Sequence, residues 1–565
     1  MVKGSNNPAR RRDLMQLLLG ILVLALLNFI GSNWFFRLDL TTEKKHTLSS
    51  HTKELLENLD DVVFFRVYLK GDDFPAGFDR LRNATKEMLD EFRIYSDNNV
   101  EYEFINPIEG ISQKEQADVF TQLYQKGITP AILEVKEKGG TSQQTIFPGA
   151  IAIYQGRETG VQLFKEQLGI PSEVVLNNSL QGMEYELSNA IRKLQTVLKP
   201  KVAFLEGHGE LDSLQVADIT GSLGEYYVVE RLDLQSKLKN LEKIKEYDAV
   251  IIAKPDSIFS EQDKFILDQY IMNGGKAIFF LDPVYASIDS LQNAEFTYGI
   301  PNKINLDDML FNYGVRVNYN LVQDMNSGLI PIPISGKYQM FPWLFFPLLN
   351  QGSDHPIAKN LNAVRAQFAS TIDTIVTPRI RKKILLSTSK YSNIMTTPVY
   401  ITLRGVSRPP NEKQFNKGNI PIAVLLEGTF ESLYRNQPMG ILDSIIGFKR
   451  LKESKPTSII VCGDGDLIAN KIQPSNGMAL PLGYDVWTKE TFGNKNFVLN
   501  AINHLCDDSG LLSVRSREVV LRVLDRKKAE AGRTKWQILN TVLPLGIIII
   551  LGLIVFFIRR KRYAS

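Results

Sequence analysis

Two long apolar segments, one near each end of the chain, constrain its architecture more than any other feature. The first covers residues 14–36, and the second runs without a charged residue over 538–558, just after Trp536. At a rise of about 1.5 Å per residue, a helix of either length crosses a hydrocarbon core of about 30 Å. We therefore predict transmembrane helices at 14–36 and 536–558, which flank a large body.

Both segments also have a simpler interpretation. The first could be a cleavable signal peptide, but no small-residue cleavage site follows it and its apolar stretch is long. The second could be a buried core helix, but it is apolar on every face and ends beside four basic residues. We favour membrane anchors at both ends.

The positive charge of the chain is concentrated in its tails, 1–13 and 559–565. Together they carry eight Lys and Arg residues, more than the formal net charge of +4 for all 565 residues, so the rest is net negative. The positive-inside rule then predicts that both tails are cytoplasmic, although a basic cluster at 526–535 weakens this orientation. The body would lie in the periplasm, anchored in a bacterial inner membrane. Its negative charge argues against nucleic-acid binding.

The body divides into two predicted α/β domains. Residues 37–198 show the element order β-α-β-α-β-β, which is typical of a thioredoxin-like fold, and a helix that ends near residue 198 marks the boundary. Residues 199–512 alternate apolar strands with amphipathic helices, which predicts a doubly wound parallel sheet. Within this domain, residues 315–430 are rich in Pro, Gly, Ser and Asn and are interpreted as an insertion of irregular or edge structure. A charged stalk, 513–535, leads into the second apolar segment.

The best candidate for a functional loop is the sequence LEGHGELD, residues 205–212, which follows a predicted strand. Open α/β sheets bind ligands at that position. Glu206, His208 and Glu210 could share a metal only if the strand continued through the two glycines of the loop. We therefore favour a glycine-shaped turn that carries a solvated His208.

Other catalytic signals are weak. The chain has two cysteines, Cys462 and Cys506, which cannot form a disulfide framework or a structural zinc site, and whether they pair with each other stays open. A nucleophilic Cys462 paired with His208 would mimic an amidotransferase, but Cys462 ends an apolar strand instead of a nucleophile elbow. No GxxxxGK[ST] or HExxH motif occurs. We predict no catalytic, cofactor-binding or metal-ligating residue and no cofactor, and interpret the aromatic side chains of 341–347 as core or partner-facing.

Several stretches, taken together, resemble one known family; they are residues 37–71, 179–194, 201–212, 274–284 and 496–518. On these stretches the chain resembles the GldG family of Bacteroidetes, gliding-motility auxiliary proteins of an ABC transporter that are often labelled substrate-binding proteins. The resemblance implies a separate permease and a cytoplasmic ATPase as partners, and a role in gliding and the linked secretion apparatus. It also implies an amidotransferase-like second domain without catalytic residues, and no site residue is carried over from it.

The leading hypothesis is a non-enzymatic accessory subunit whose apolar helices pack against a permease. Small residues that would permit close helix packing are Gly20, Ala25, Gly546 and Gly552. A homodimer within the complex is left open. The alternatives are a periplasmic hydrolase or amidotransferase-like enzyme, and a structural tether of the envelope machinery that works without an ATPase.

Overall fold

The computed structural model describes three parts of the chain: residues 15–26, 47–506 and 532–563. Short gaps lie at 72–73, 138–139, 166–171, 197–198, 236–239, 292–293, 335–336, 405, 407–408 and 437–449. The chain divides into two compact units, the body at Leu48–Arg517 and a unit made of both chain ends.

The first part of the body contains one small sheet and its helices. Its elements are α1 (Ser50–Glu57), β1 (Val63–Val67), α2 (Ala76–Tyr95), β2 (Val100–Phe104), α3 (Gln113–Gln125), β3 (Ala131–Glu137), β4 (Gly140–Ile146), β5 (Gly149–Tyr154), β6 (Arg157–Gln162) and α4 (Ser172–Gln195). The sheet order is β2-β1-β5-β6, with β1 parallel to β2 and antiparallel to β5. Strands β3 and β4 form a separate hairpin. The thioredoxin-like classification of this part stays a prediction.

Local sequence signals explain why these elements begin and end where they do. The hydroxyl of Ser49 accepts a hydrogen bond from the Thr52 N–H and caps α1, as expected for a serine before a helix. The Ser49 N–H donates to Glu184, which ties α1 to α4. Pro148 lies between β4 and β5, so one apolar run, 145–154, forms parts of two strands.

The second part of the body contains one large sheet. Its elements are β7 (Lys201–Glu206), α5 (Ala217–Leu223), β8 (Val228–Asp233), α6 (Asn240–Ile244), β9 (Ala249–Ala253), α7 (Glu261–Met272), β10 (Lys276–Phe280), β11 (Val284–Tyr285), β12 (Phe296–Pro301), α8 (Asp307–Tyr313), β13 (Val315–Val317), β14 (Asn320–Asp324), β15 (Ser327–Ile334), β16 (Lys337–Gln351), β17 (Val364–Arg365), β18 (Ile372–Thr374), β19 (Ile380–Ser387), β20 (Ser392–Thr396), β21 (Val399–Thr402), β22 (Pro421–Gly428), β23 (Thr457–Cys462) and α9 (Asn494–Cys506).

The large sheet is half parallel and half antiparallel. Its order is β15-β16-β19-β22-β23-β10-β9-β7-β8, with β17 beside β16. Strands β8, β7, β9, β10 and β23 are parallel neighbours, whereas β22, β19, β16 and β15 continue the sheet in antiparallel pairs. The chain passes from β7 outward to β8 and then back to β9 on the other side of β7. A topological switch point, where open α/β sheets bind ligands, therefore lies between β7 and β9.

Both faces of the inner parallel strands, β7, β9, β10 and β23, are buried. Val202 and Phe204 of β7 belong to the core on one face, together with α5 and α9. Ala203 and Leu205 belong to the core on the other face, with α7 and α8. This burial on two faces explains why these strands appear as continuous apolar runs in the sequence.

The sequence-based prediction for this sheet is correct for five parallel strands and wrong for much of the antiparallel half. Most of 315–430 does not form an irregular insertion, because β16 and β19 from this segment extend the main sheet. The expected edge structure is found at β15, an edge strand in which Pro331 and Pro333 remove no hydrogen bond from the sheet interior. The aromatic run 341–347 lies within the 15-residue strand β16.

Each chain end carries an apolar helix. The C-terminal helix is Arg533–Tyr563, and within its 24-residue segment Ile538–Lys561 a stretch of 18 residues has a mean hydropathy of 3.0 and no buried part. It is long and apolar enough to cross a membrane. The N-terminal helix covers Met15–Leu26, 12 residues; the rest of the predicted 14–36 span lies outside the described residues, as does 513–531 of the predicted stalk. A Cβ added at Gly20, Gly546 or Gly552 would meet no atom within 4 Å.

Candidate functional site

The carboxyl ends of the parallel strands form one edge of the large sheet, and polar residues follow each strand there. Two clusters occupy this edge. The histidine clamp consists of His208, Glu210 and Asp263. The lysine–aspartate cluster consists of Lys254, Asp282, Asp464 and Asp466.

The histidine clamp holds the imidazole ring between two carboxylates. Nδ1 of His208 lies 3.3 Å from Oε1 of Glu210, and Nε2 lies 3.2 Å from Oδ2 of Asp263. The ring stacks on Phe259, with centroids 3.7 Å apart and planes 9° from parallel. Ser260 caps α7 and donates its hydroxyl to the Asp263 carboxylate at 2.7 Å, which fixes that carboxylate. The ring therefore has one defined position.

The loop that carries His208 closes over the switch point. Gly207 and Gly209 have φ values of +119° and +71°, which L side chains rarely adopt, so glycines are required on both sides of the histidine. The His208 carbonyl accepts hydrogen bonds from the N–H groups of Asp256 and Ser257, each at 3.0 Å. The loop thereby covers the end of β9, where a ligand of an open α/β sheet would enter.

The electrostatics of the clamp favour a charged imidazole. Burial opposes the imidazolium, but hydrogen bonds and charges from Glu210 and Asp263 outweigh burial, so the pKa of His208 is raised. Charge-assisted hydrogen bonds of this kind are stronger than neutral ones. Protonation of His208 would therefore strengthen both of its contacts in the clamp.

The structure corrects the sequence-based view of this loop. His208 is not solvated, since only 3% of its surface is exposed. The loop brings His208 and Glu210 together but not Glu206, whose carboxylate accepts from Arg231 instead. Asp263 completes the clamp and was missed, because it lies 55 residues further along the chain with no motif that links the two.

The lysine–aspartate cluster places one ammonium group among three carboxylates. Nζ of Lys254 lies 2.5 Å from Oδ1 of Asp466 and 3.2 Å from Oδ2 of Asp282. Oxygen atoms of Asp282, Asp464 and Asp466 all lie within 4.8 Å of one another. Backbone donors complete the cluster, because the Gly465 N–H donates to Asp282 at 2.5 Å and the Gln367 N–H donates to Asp464 at 2.6 Å.

The pKa values in this cluster reflect burial and mutual repulsion. Burial raises the pKa of Asp282 to about 6 against the opposing charge of Lys254. Burial, together with the charges of Asp466 and Asp282, raises the pKa of Asp464 well above its usual range. Burial disfavours the Lys254 ammonium, but the aspartates outweigh it and raise its pKa. The group therefore retains a charged lysine and favours protons on its buried carboxyls.

Three clustered carboxylates are the type of ligand set that binds a divalent cation. Here the Lys254 ammonium contacts two of the three and supplies positive charge from within the protein. The sequence signal for this cluster was the D-x-D at 464–466 after an apolar strand, and its partners at the ends of β9 and β10 became visible only with the strand order.

Cys462 lies in the core and takes no part in either cluster's hydrogen bonds. It is fully buried, and neither Cys462 nor Cys506 forms a disulfide. Burial and the neighbouring Asp464 raise the pKa of Cys462 well above its usual range. Both ring nitrogens of His208 face carboxylates, so the structure does not form the Cys462–His208 pair of an amidotransferase.

The structure is that of a mixed α/β protein. Its apolar C-terminal helix indicates membrane association. The chain belongs to the family described as ABC-type uncharacterized transport system, whose model matches residues 199–501. This membership confirms the coarser part of the sequence resemblance, an accessory role in an ABC transport system. A second model, a domain of unknown function (DUF7088), matches residues 42–153.

Two further proteins are similar to the chain. An uncharacterized protein of Borreliella burgdorferi is 23% identical over 569 residues, which cover 98% of this chain and 99% of that protein. A solved structure titled mmIFT52 N-terminal domain has a TM-score of 0.32 and 14% identity, and the match covers 54% of this chain and 97% of that one. A likeness at this level carries no argument about fold or function.

Proposed function

We propose that this chain is a non-enzymatic, membrane-anchored accessory subunit of an ABC transporter. The proposal rests on how the reactive side chains at the carboxyl ends of the strands are paired or buried. The ring nitrogens of His208 and the ammonium of Lys254 contact carboxylates of the same chain, and Cys462 is buried with a raised pKa. An enzyme would require a nucleophile and a base that face a substrate, so this edge favours a structural role.

The proposed partners are an ATPase and a permease, and two observations support them: the sequence has no nucleotide-binding motif, and the family belongs to an ABC transport system. Its sequence has no GxxxxGK[ST] motif, so ATP hydrolysis in an ABC system would come from a separate cytoplasmic ATPase. A separate permease would receive the apolar helices, with the small residues Gly20, Ala25, Gly546 and Gly552 at the contact. Coupling between ATP hydrolysis and the body would then pass through these helices. A homodimer would fit within the same complex.

The finer assignment is a role in gliding motility and the linked secretion apparatus of Bacteroidetes. It is supported by the resemblance of the stretches at 37–71, 179–194, 201–212, 274–284 and 496–518 to the GldG family. In this arrangement the chain lies in the inner membrane, with both tails in the cytoplasm and the body in the periplasm. The basic residues of the two tails support this orientation.

The proposal is tested by purifying the tagged full-length chain from its native membranes in mild detergent and identifying co-purifying proteins by mass spectrometry. A permease and an ATPase in stoichiometric amounts would support it. Recovery of the chain with envelope proteins but no ATPase would overturn it in favour of a tether. Gliding speed of cells that lack the chain tests the finer assignment separately, and unchanged gliding would remove it.

The enzyme alternative has its own test. Cys462→Ser removes the buried thiol with a small change in volume, and a catalytic thiol would lose all activity with that change. We expect cells with Cys462→Ser to retain function at normal protein level. Loss of function with unchanged protein level and unchanged co-purification would contradict the non-enzymatic proposal.

A further inference from the structure

A groove in the second part of the body lies apart from the carboxyl edge. It encloses about 620 Å³ between β14, β16, β21 and the residues Arg404, Val406, Pro409 and Pro410. Trp343 and Phe345 of β16 line it, together with Tyr400 of β21. This volume falls within the range of about 300–1,000 Å³ that is usual for small-molecule sites.

The lining of this groove combines an apolar surface with a single charge. Among the described residues that line it, Arg404 is the only charged one, and Gln323 and Thr402 add neutral polar groups. Arg404 pairs with Glu295, but both side chains are highly exposed, at 70% and 69%. An exposed ion pair stabilises only weakly, so an anionic ligand group can replace Glu295 at little cost.

The composition of the groove limits the class of ligand. An uncharged aromatic wall accepts a hydrocarbon chain, and one guanidinium complements one negative charge. A divalent cation has no carboxylate ligand among the described lining residues.

We propose that this groove binds the acyl chain of a monoanionic amphiphile, with the anionic head at Arg404. Free fatty acids and anionic phospholipids share this chemistry. The proposal names a ligand class for the accessory subunit, but the site lies within one chain and needs no partner. It can therefore fail while the transporter proposal stands, and the reverse also holds.

The test uses the full-length chain in phosphatidylcholine nanodiscs and diazirine-labelled lipids, with cross-linked peptides mapped by mass spectrometry. The probes are a labelled fatty acid, a labelled phosphatidylglycerol and a labelled fatty alcohol of equal chain length. We expect the fatty acid, the phosphatidylglycerol or both to label peptides that contain Trp343 or Tyr400, and which of them does so identifies the source. The neutral alcohol should label these peptides less, by up to about fivefold, the most expected for one contact with an exposed arginine.

Arg404→Gln should reduce labelling by the anionic probes to the level of the alcohol. The matched control is Arg379→Gln, which removes an equally exposed arginine that pairs with Glu453 outside the groove lining. The proposal is overturned by equal labelling with anionic and neutral probes, by no labelling in the groove, or by cross-links from the groove to a second copy or a peptide. The comparison of probes on the unmodified chain holds even if Arg404→Gln does not fold.

Discussion

The ammonium of Lys254 lies 2.5 Å from a carboxylate oxygen of Asp466, although 212 residues separate them in the chain. Lys254 follows β9 and Asp466 follows β23, with β10 between the two strands. Their contact therefore spans the width of three parallel strands at the edge where α/β enzymes place reactive groups. In this contact, as in the histidine clamp, charged side chains at the carboxyl ends of the strands bind other residues of the same chain.

Removal of Lys254 should destabilise the protein, because the neighbouring carboxylates would lose the positive charge that neutralises them. We expect Lys254→Met to lower the free energy of unfolding by about 3 kcal/mol, because one partner of a largely buried ion pair is lost. Thermal melting followed by circular dichroism measures the effect. The variant should also gain a rise in melting temperature with millimolar Mn²⁺ or Ca²⁺, since three carboxylates without the lysine form a cation site.

The control for this prediction is Lys70→Met, which removes an exposed lysine that pairs with Glu109. We expect a change of about 0.5 kcal/mol or less, as for most surface pairs. Equal stability of Lys254→Met and the unmodified chain would show that Lys254 does not neutralise the cluster.

The histidine clamp predicts a direction for the pH dependence of stability. The pKa of His208 is raised in the folded state, so its contribution is complete below the unfolded value of about 6.5 and is lost as pH rises through the folded pKa. Chemical denaturation at several pH values above about 6 should therefore show falling stability. His208→Gln should flatten this slope.

Variants of Glu210 and Asp263, the two carboxylates of the clamp, are to be compared with His208→Gln. Glu210→Gln and Asp263→Asn each remove one of the charges that raise the pKa of His208, so each should weaken the same pH dependence. A slope that stays unchanged in all three variants would contradict the assignment to the clamp.

Replacement of Gly463, in the CGDGD segment, should be strongly destabilising for steric reasons. A Cβ at Gly463 would overlap the backbone carbonyl oxygen of Ser370, and the Ser370 N–H donates to the Gly463 carbonyl at 2.7 Å. We expect Gly463→Ala to lower the free energy of unfolding by about 3 kcal/mol, since backbone must move. Gly477 has a φ of +67° with no atom within 4 Å of an added Cβ, so Gly477→Ala should cost only about 1 kcal/mol.

Equal costs for these two variants would mean that strand β23 can shift without loss, and would remove the steric explanation for Gly463. Urea denaturation with a fluorescence readout distinguishes the two outcomes.

We expect the C-terminal helix to contact the permease through its small residues. The double variant Gly546→Ile and Gly552→Ile should reduce the amount of permease that co-purifies, because bulky side chains prevent close helix approach. Leu551→Ile is the control, since it exchanges one large apolar residue for another in the same helix. Unchanged co-purification with the double variant would exclude this face as the contact.

Sequence patterns predicted elements whose signals are local. Ser49 caps α1, as expected for a serine directly before a helix. The inner parallel strands β7, β9, β10 and β23 were visible as apolar runs because both of their faces are buried.

What the sequence did not reveal depends on contacts between distant residues. Asp263 and Lys254 are ordinary charged residues in their local context, and only the strand order places them beside His208 and Asp466. Strand β16 was misread because its prolines suggest a loop, although its neighbours in the sheet determine that it is a strand.

The most direct test of the central claim is ATP turnover by the assembly purified through this chain and reconstituted in nanodiscs. The account predicts that an ATPase subunit is present, that the assembly hydrolyses ATP, and that removal of this chain from the assembly changes the rate. An assembly without ATP turnover, or a rate that is the same with and without the chain, would contradict a role as an ABC-transporter accessory subunit.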